Sequence, residues 1–346
     1  MIFELPDFDA HEALHVVHDR ASGLFGLIAI HSTHLGPAAG GTRYWAYPDS
    51  GAAITDALRL SRGMSYKNAM AGLPMGGGKA VILRQPGQEK TPELLHAFGD
   101  AIEALGGRYV TAEDVGMGMK DMLAFASRTS FVAGLPATSG AAGGSPSPAT
   151  AVGVYHGLRA AISHKLGRDE VKGLHVAVQG CGAVGGALAV QLAAEGAKLT
   201  LADMDRGRAA ALADQLGARV VPADEIMQVA ADVFSPNALG AILNEASIPA
   251  LDVAIVAGAA NNQLATPADG QRLAARDILY APDYVINAGG IINVVAGYLG
   301  RGDAATVAAD LAAIGPRLAG IFAEADRSGQ SCDQVADAMA RQLIGR

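Results

Sequence analysis

The spacing of apolar residues in the first third of the chain predicts a mixture of strands and helices. An unbroken apolar run such as LFGLIAIH is typical of a buried strand, whereas apolar residues that recur every three or four positions indicate one face of a helix. On these criteria we predict strands at 24–31 and 108–114 and helices at 51–64 and 91–105. The last helix has the clearest start, because Thr91 is a favourable N-cap and a proline follows it at the first helical position.

Strand and helix patterns alternate in the later part of the chain. A short apolar strand at 174–180 leads through a glycine-rich turn into an apolar helix, and the next strand is at 198–203. Further strands are predicted near Val220, Asp232, Val253 and Tyr284. This alternation predicts a parallel, doubly wound α/β sheet, and an all-helical segment follows over 304–346.

A cluster of Gly, Ser, Pro and Thr at 134–151 separates the two patterns and predicts a linker or hinge, with a helix beginning near Ala149. We therefore predict an α/β protein of two domains, an N-terminal domain over 1–140 and a Rossmann-type domain over 141–314. The helices of 315–346 are expected to pack back onto the first domain.

Composition narrows the class of protein. Half of the 346 residues are hydrophobic and 17% are charged, which favours a large core and excludes a disordered chain. The formal net charge of −8 argues against nucleic acid or an anionic membrane as partner. The two cysteines, Cys181 and Cys332, provide neither metal-ligand spacing nor a disulfide framework. Without a basic leader or an apolar run of ~20 residues, we expect a cytoplasmic protein. Because metal-ligand spacing is absent, we expect no metal.

A dinucleotide site is predicted at VAVQGCGAVGG, where Gly180, Gly182 and Gly185 have G-x-G-x-x-G spacing between a strand and a helix. The first glycine permits the tight turn, the second lets the backbone approach a pyrophosphate, and the third allows close helix packing. The helix N-terminus offers N–H groups to the phosphates. Asp203 ends the next strand, where it can bind a ribose. The remaining loop residues are Cys181, Ala183 and Val184.

Two alternatives remain open at this loop. The charge of Asp203 would repel a 2′-phosphate and favours NAD, but Arg206 and Arg208 lie just downstream and keep NADP open. A glycine-rich turn that binds nothing is the structural alternative.

The stretch GLPMGGGKAVIL raises a different question, because three glycines precede Lys79. A P-loop would need a glycine where Leu73 stands and a hydroxyl where Ala80 stands, so the match fails twice. Lys79 is thus available for other chemistry, and Lys67, upstream, and Asp114, further downstream, are candidates to act with it. For either lysine alone, a buried stem with a solvated head is the simpler interpretation.

Several motifs resemble the leucine, phenylalanine and valine dehydrogenases of the glutamate dehydrogenase superfamily. GPAAGGTR, GMSYKNAMAGLPMGGGKAV and TAEDVG resemble catalytic-domain motifs, and VAVQGCGAVG, VAGAANNQL and YAPDYVINAGG resemble cofactor-domain motifs. The resemblance runs in order over about 24–300. It implies NAD-dependent oxidative deamination of an L-amino acid to a 2-oxo acid and ammonium, with the first domain also serving oligomerisation, and a homo-oligomer, often an octamer.

The resemblance also implies roles for single residues. Lys67 matches the lysine that binds the substrate carboxylate, beside backbone N–H groups near Gly40 and Gly41. Lys79 matches the lysine that activates water, and burial with a second cation nearby should lower its pKa. Asp114 matches the carboxylate that exchanges protons with the substrate amine.

Further residues follow from the same resemblance. The glycines at 76–78 are expected to let the backbone run close to a small substrate. Substrate is expected in a cleft between the domains, which would close about a hinge near 134–147. Near the nicotinamide the matches are Thr150, Gly258, Asn261 and Asn287, and the further pocket residues are Ala39, Met64, Ala112, Ala133 and Ile292.

Substrate choice is less sharply indicated. Ala39 matches several phenylalanine dehydrogenases, and Ala133 replaces a threonine common in leucine-type members, whereas TAEDVG and ANNQL match the leucine type. We predict an apolar amino acid, branched-chain first, with phenylalanine or broad specificity as the alternative. A glutamate pocket would need a further cation, and a 2-hydroxy acid dehydrogenase would need a histidine relay, neither of which is recognisable. An inactive NAD-binding regulator would be expected to lack one of Lys67, Lys79 or Asp114.

Overall fold

A computed structural model describes residues 2–5, 7–136 and 142–346. The chain divides into two compact units. The first contains Met1–Gly144, Asn293–Ala304 and Ala340–Arg346, and the second contains Ser145–Ile292 and Ala305–Met339. The chain therefore passes from one unit to the other four times. The predicted hinge is only partly described, since 137–141 lie outside the described residues.

The sheet of the first unit is mixed. Its strands are Ala13–Asp19 (β1), Leu24–Ser32 (β2), Ala38–Ala39 (β3), Thr42–Trp45 (β4), Gly76–Leu83 (β5) and Tyr109–Val110 (β6). β5 is buried and central, antiparallel to β2 and parallel to both β3 and β4. β1 lies beside β2, and β6 beside β3. The predicted strand at 24–31 is thereby confirmed, and the one at 108–114 is confined to its first residues.

Helices pack on this sheet at Ser50–Met70 (α1), Pro92–Glu103 (α2) and Met119–Ala126 (α3). α1 is longer than the predicted helix at 51–64, and its first turn is capped by Asp49, whose side chain accepts a hydrogen bond from the Ala52 N–H. α2 begins as predicted, because the Thr91 hydroxyl accepts from the Leu94 N–H and proline occupies the first helical position. Its apolar face, including Phe98, is buried in the core.

The sheet of the second unit is parallel throughout, which confirms the predicted doubly wound fold. Its strands are His175–Gln179 (β7), Lys198–Ala202 (β8), Arg219–Val220 (β9), Val233–Pro236 (β10), Ile255–Val256 (β11) and Leu279–Tyr280 (β12). The order across the sheet is β12-β11-β10-β7-β8-β9. β7 and β8 are central neighbours, so the loop after β7 and the end of β8 lie at the same edge.

The helices after the linker region are Ser147–Leu166 (α4), Ala183–Ala194 (α5), Arg206–Leu216 (α6), Pro267–Ala275 (α7), Asp283–Ile286 (α8), Gly289–Tyr298 (α9), Ala304–Ala312 (α10), Ile314–Ser328 (α11) and Cys332–Leu343 (α12). The strand predicted near Tyr284 is wrong, since that residue lies in α8. The sheet instead takes its last strand from β12, just upstream.

The C-terminal helices also differ from the prediction. α11 packs against α4 within the second unit, so most of 315–346 does not return to the first domain. Only Ala340–Arg346 groups with the first unit. The stretch Ala304–Ser328, which contains α10 and α11, is long and apolar enough to cross a membrane by length and composition. Because α11 buries one apolar face, including Leu318 and Phe322, this stretch has the pattern of a core helix.

Candidate active site

A buried lysine and an aspartate meet in the first unit. Lys79 lies on β5 opposite Ala29 of β2, and its side chain is only 7% exposed. The Nζ of Lys79 is 2.5 Å from Oδ2 of Asp114, which follows β6. The structure therefore brings together two of the three residues predicted to be catalytic, although they are far apart in sequence.

The surroundings of this pair lower the pKa of Lys79 below its ordinary value in water. Burial lowers the pKa of Lys79, the charge of Asp114 opposes that change, and the Arg43 guanidinium adds to it. Burial alone would raise the pKa of Asp114, but Lys79 and Arg43 outweigh it and hold that pKa below its ordinary value. The prediction that burial and a second cation lower the pKa of Lys79 is thus confirmed in direction, and the second cation is Arg43.

Arg43 was missed by sequence reasoning. It lies on β4, and its Nε donates to the same Asp114 oxygen at 3.1 Å. The available signal was weak: a single arginine in the strand sequence TRYW, directly after the glycine pair of GPAAGGTR. A partly buried charge calls for a partner, but the sequence alone did not say which.

The glycine pair before β4 allows the aspartate to approach. A Cβ on Gly41 would lie 2.5 Å from the Glu113 carbonyl oxygen and 2.9 Å from Cβ of Asp114. The Gly40 N–H donates to the Val110 carbonyl at 3.1 Å. This N–H therefore already serves the junction of β3 and β6, and the role of backbone N–H groups near Gly40 and Gly41 in binding a substrate carboxylate stays a prediction.

The three glycines before Lys79 have a packing role, and their predicted approach to a substrate stays a prediction. A Cβ on Gly76 would lie 1.9 Å from the Ser32 carbonyl oxygen, and one on Gly77 would lie 2.0 Å from the Ser65 nitrogen on α1. A Cβ on Gly78 would lie 2.8 Å from the Tyr109 ring. These glycines let β5 pack tightly against the protein's own strands and helix, so close approach to a substrate is not needed to explain them.

The other predicted substrate residues of the first unit lie on elements around this pair. Met64 and Lys67 are half-buried on α1, and the Met64 Cγ would be 3.1 Å from a Cβ on Gly40. Ala39 on β3 and Ala133 are both buried. Ala112 is in the segment between β6 and Asp114, and its carbonyl accepts from the Thr42 N–H at 3.0 Å.

In the second unit, the glycine loop after β7 has the geometry of a phosphate cradle. Gly180 has a φ of +88°, which a residue with a side chain rarely adopts. A Cβ on Gly185 would lie 1.9 Å from the Gly180 carbonyl oxygen, so the third glycine allows α5 to start tightly behind the loop. A Cβ on Gly182, the N-cap of α5, would meet no atom within 4 Å. Gly182 thus leaves the helix N-terminus open to a phosphate.

Asp203 closes the other side of this loop. Its Oδ2 accepts from the Cys181 N–H at 2.7 Å, and its Oδ1 accepts from the Asp205 N–H at 2.8 Å. Burial raises the pKa of Asp203, but these N–H groups and Arg208, 3.5 Å away, leave it lowered overall. The aspartate is therefore ionised, and hydrogen bonds hold both of its oxygens at the end of β8. Ala183 and Val184 form the first turn of α5, as predicted for the loop.

Two predicted nicotinamide-side residues contact each other in the second unit. The Asn287 side-chain amide donates to Oδ1 of Asn261 at 2.9 Å and to the Ala259 carbonyl at 3.1 Å. Its own Oδ1 is buried and has no hydrogen-bond partner among the described residues, an acceptor that a bound ligand would satisfy.

The remaining predicted residues of this unit have structural surroundings. A Cβ on Gly258 would lie 2.2 Å from the Pro236 carbonyl oxygen. The Thr150 hydroxyl donates to the Pro146 carbonyl at 2.9 Å, near the start of α4. Ile292 is buried on α9. Over residues 2–5, 7–136 and 142–346, no group of three His, Cys, Asp or Glu side chains is placed to hold a metal ion.

Comparison with known proteins gives two family matches. Residues 11–131 match the Glu/Leu/Phe/Val dehydrogenase dimerisation domain, and residues 199–300 match the glutamate/leucine/phenylalanine/valine dehydrogenase domain. The chain is 44% identical to a leucine dehydrogenase of Thermoactinomyces intermedius over 99% of its length and 93% of that protein. It is 45% identical to a valine dehydrogenase of Streptomyces albus over 98% of its length and 93% of that protein.

Solved structures give the same answer for the fold. The L-tryptophan dehydrogenase of Nostoc punctiforme superposes with a TM-score of 0.87 at 39% identity, over 97% of this chain and 96% of that one. A glutamate dehydrogenase of Thermus thermophilus superposes with a TM-score of 0.75 at 21% identity, over 97% of this chain and 89% of that one, which supports the fold alone.

Proposed function

Because the chain belongs to the glutamate, leucine, phenylalanine and valine dehydrogenase family, we propose that it oxidatively deaminates branched-chain L-amino acids with NAD. The amino acid, NAD and water give the 2-oxo acid, ammonium, NADH and a proton, and the reverse reaction is reductive amination. The observation that carries the proposal is the buried contact between Lys79 and Asp114. It places two groups that can accept protons, an amine and a carboxylate, side by side.

Each side chain has a distinct task in this reaction. Lys67 binds the substrate carboxylate as a cation. Asp114 accepts a proton from the substrate ammonium group, since its lowered pKa keeps it ionised. Lys79 in its neutral form takes a proton from the water that attacks the oxidised α-carbon, and ammonium then leaves. Because Lys79 must lose its proton first, deamination should accelerate as the pH rises.

The second unit fits NAD on its own observations. The open N-terminus of α5 at Gly182 suits a pyrophosphate, Asp203 suits a ribose, and the orphaned Asn287 oxygen suits an amide donor. When bound, NAD supplies the acceptor for the hydride of the substrate α-carbon. The ionised Asp203 would repel a 2′-phosphate, which favours NAD over NADP.

The relatives guide the choice of substrate. Two of them, at 44% and 45% identity, carry the names leucine dehydrogenase and valine dehydrogenase. Ala39 and Ala133 are small, apolar and buried, in keeping with an apolar substrate side chain. One methylene is worth only ~1–3 kcal/mol in such a pocket, so modest activity on larger side chains is expected.

The protein is further proposed to act in the cytoplasm as a homo-oligomer, often an octamer in the family. The first family match is named for a dimerisation domain, which supports assembly through the first unit. Both cysteines are unpaired and buried, in keeping with a reducing compartment.

The test is a substrate panel read by NADH absorbance at 340 nm at alkaline pH, with NAD and NADP in parallel. Leucine, isoleucine and valine should give the highest kcat/KM, above phenylalanine, tryptophan and glutamate. Lys79→Ala should abolish turnover while NAD binding stays nearly intact. A strong preference for glutamate, or silence across all apolar amino acids, would overturn the proposal. Loss of NAD binding in the variant would instead assign Lys79 to the phosphates.

A further inference from the structure

Arg43 lies between two carboxylates in the first unit. Its Nε is 3.1 Å from Oδ2 of Asp114, and its Nη1 is 2.7 Å from Oδ2 of Asp56 on α1. The side chains of Arg43 and Asp56 are 21% and 13% exposed. A planar guanidinium has donors in two fixed directions and can hold both acids at once in a defined geometry.

Asp56 has two further hydrogen-bond donors beside Arg43. The Tyr47 hydroxyl donates to its Oδ2 at 2.6 Å, and Arg59 donates to its Oδ1 at 3.1 Å. Burial raises the pKa of Tyr47, and the Asp56 charge raises it further, so the phenol remains a donor. Burial would raise the pKa of Asp56 too, but Tyr47 and Arg43 lower it overall. The result is a chain of contacts that runs from Tyr47 through Asp56 and Arg43 to Asp114 and Lys79.

Arg43 determines whether Asp114 still has a cation in contact after Lys79 loses its proton. With Arg43 in place, deprotonation leaves Asp114 paired with a cation. Without Arg43, it would leave a mostly buried carboxylate with no cation in contact, which is costly. Arg43 therefore lowers the free-energy cost of deprotonating Lys79. It acts through Asp114, which contacts both side chains.

We propose that Arg43 is a positioning residue for the deamination reaction: it holds Asp114 against Lys79 and stabilises the pair with the lysine neutral, while Asp56 and Tyr47 fix the guanidinium. This inference rests on the proposed function, in which neutral Lys79 is the base. No step of the reaction needs Arg43 to touch the substrate.

The charged groups around Lys79 come from three elements and do not all act in the same direction. Asp114, after β6, and Asp56, on α1, raise the pKa of Lys79. Arg43, on β4, lowers it, and burial lowers it most. The β2 residue opposite Lys79 is Ala29, which carries no charge. Removal of Arg43 alone should therefore raise the pKa of Lys79.

The experiment compares kcat/KM against pH for leucine in the wild type, Arg43→Gln, Arg43→Lys and Arg59→Gln. Arg43→Gln should move the acidic limb up by about one pH unit, the lower end of the effect of a neighbouring charge. At a pH on that limb the loss is about tenfold, and it should recover at alkaline pH. Arg43→Lys keeps the charge and should move the limb less.

Arg59→Gln is the matched control, because it removes a cation from the same Asp56 carboxylate at a side chain that is 53% exposed. Its acidic limb should stay at the wild-type position. An Arg43→Gln enzyme with equal loss at every pH and an unmoved limb would overturn the proposal, as would an equal shift in the control. If Arg43→Gln does not fold, Arg43→Lys decides: uniform loss without a shift contradicts the proposal, and a small upward shift supports it.

A second readout separates this inference from the proposed function. Trace acetic anhydride labels only the neutral amine, so the rate of Lys79 labelling against pH, followed by mass spectrometry, reports its titration without substrate. The labelling midpoint should be higher in Arg43→Gln than in the wild type. If the wild type deaminates no amino acid but the midpoint still moves, the proposed function fails, while the effect of Arg43 on the titration of Lys79 stands. An unmoved midpoint overturns the proposed role of Arg43 whatever the activity.

Discussion

Gly77 is one of the positions where the packing of the first unit leaves no room for a side chain. A Cβ there would lie 2.0 Å from the backbone nitrogen of Ser65, 2.2 Å from its Oγ and 2.4 Å from its Cα. Ordinary contact begins near 3.4 Å, so Gly77→Ala would have to part β5 and α1 by about 1.4 Å, the difference from the 2.0 Å approach. Two of the three atoms met are backbone, so no rotamer change can relieve the clash.

The loss of stability caused by Gly77→Ala can be worked out from the energetics of core packing. Overpacking a core by one methyl group typically costs ~1–3 kcal/mol, occasionally more. β5 is held between β2 and β4 and cannot move alone, so the upper end, about 3 kcal/mol, applies. At roughly 2–4 °C per kcal/mol for a unit of this size, Tm should fall by about 6–12 °C. Because α1 also carries Met64 and Lys67, KM for the amino acid should rise.

The assay is thermal unfolding followed by circular dichroism at one protein concentration, since assembly makes Tm concentration-dependent. Gly63→Ala is the matched control, because the same methyl group at this exposed position of α1 meets no atom within 4 Å. It should leave Tm unchanged or raise it, as alanine favours a helix by up to about 1 kcal/mol. A Gly77→Ala protein with wild-type Tm would refute the packing explanation of the glycine run. A fall of equal size in the control would show that α1 itself is intolerant.

Two further substitutions test the second unit. Gly185→Ala places a Cβ 1.9 Å from the Gly180 carbonyl oxygen, so NADH affinity in a fluorescence titration should fall about tenfold or more, about 1.4 kcal/mol. Gly186→Ala, whose nearest contact is 3.2 Å, should bind almost normally, and equal losses would contradict the close-packing role. Burial raises the pKa of Asp333 and its Oδ1 has no hydrogen-bond partner among the described residues, so its contribution to stability is present at low pH and is lost as the pH rises through its folded pKa. Asp333→Asn should therefore raise Tm more at pH 8 than at pH 5, and an equal change at both pH values would contradict this reasoning.

The elements that sequence predicted well are those with local physical signals. The start of α2 follows from a threonine cap and a proline, and both act within one helical turn. The loop after β7 follows from glycine spacing within six residues, flanked by a strand and a helix. Neither depends on a residue that is distant in sequence.

The errors and omissions concern features that depend on contacts between residues distant in sequence. The run around Tyr284 is short and apolar, a pattern that strand and helix share, and Pro282 and Asp283 at its start favour α8. The role of the glycines at 76–78 depends on atoms of other elements, which the spacing cannot reveal. Arg43 binds Asp114 across 71 residues of sequence, so nothing near it in the chain indicates the contact.

The four passages of the chain between the two units bear on how the protein can be divided. A single cut after Gly144 gives an N-terminal fragment without Asn293–Ala304 and Ala340–Arg346, which belong to the same unit. Arg346 donates to the carbonyls of Ala10 and His31, so the final residues tie down the first strands. The first unit is therefore not a contiguous stretch of the gene. To express it alone, three separate segments would have to be joined.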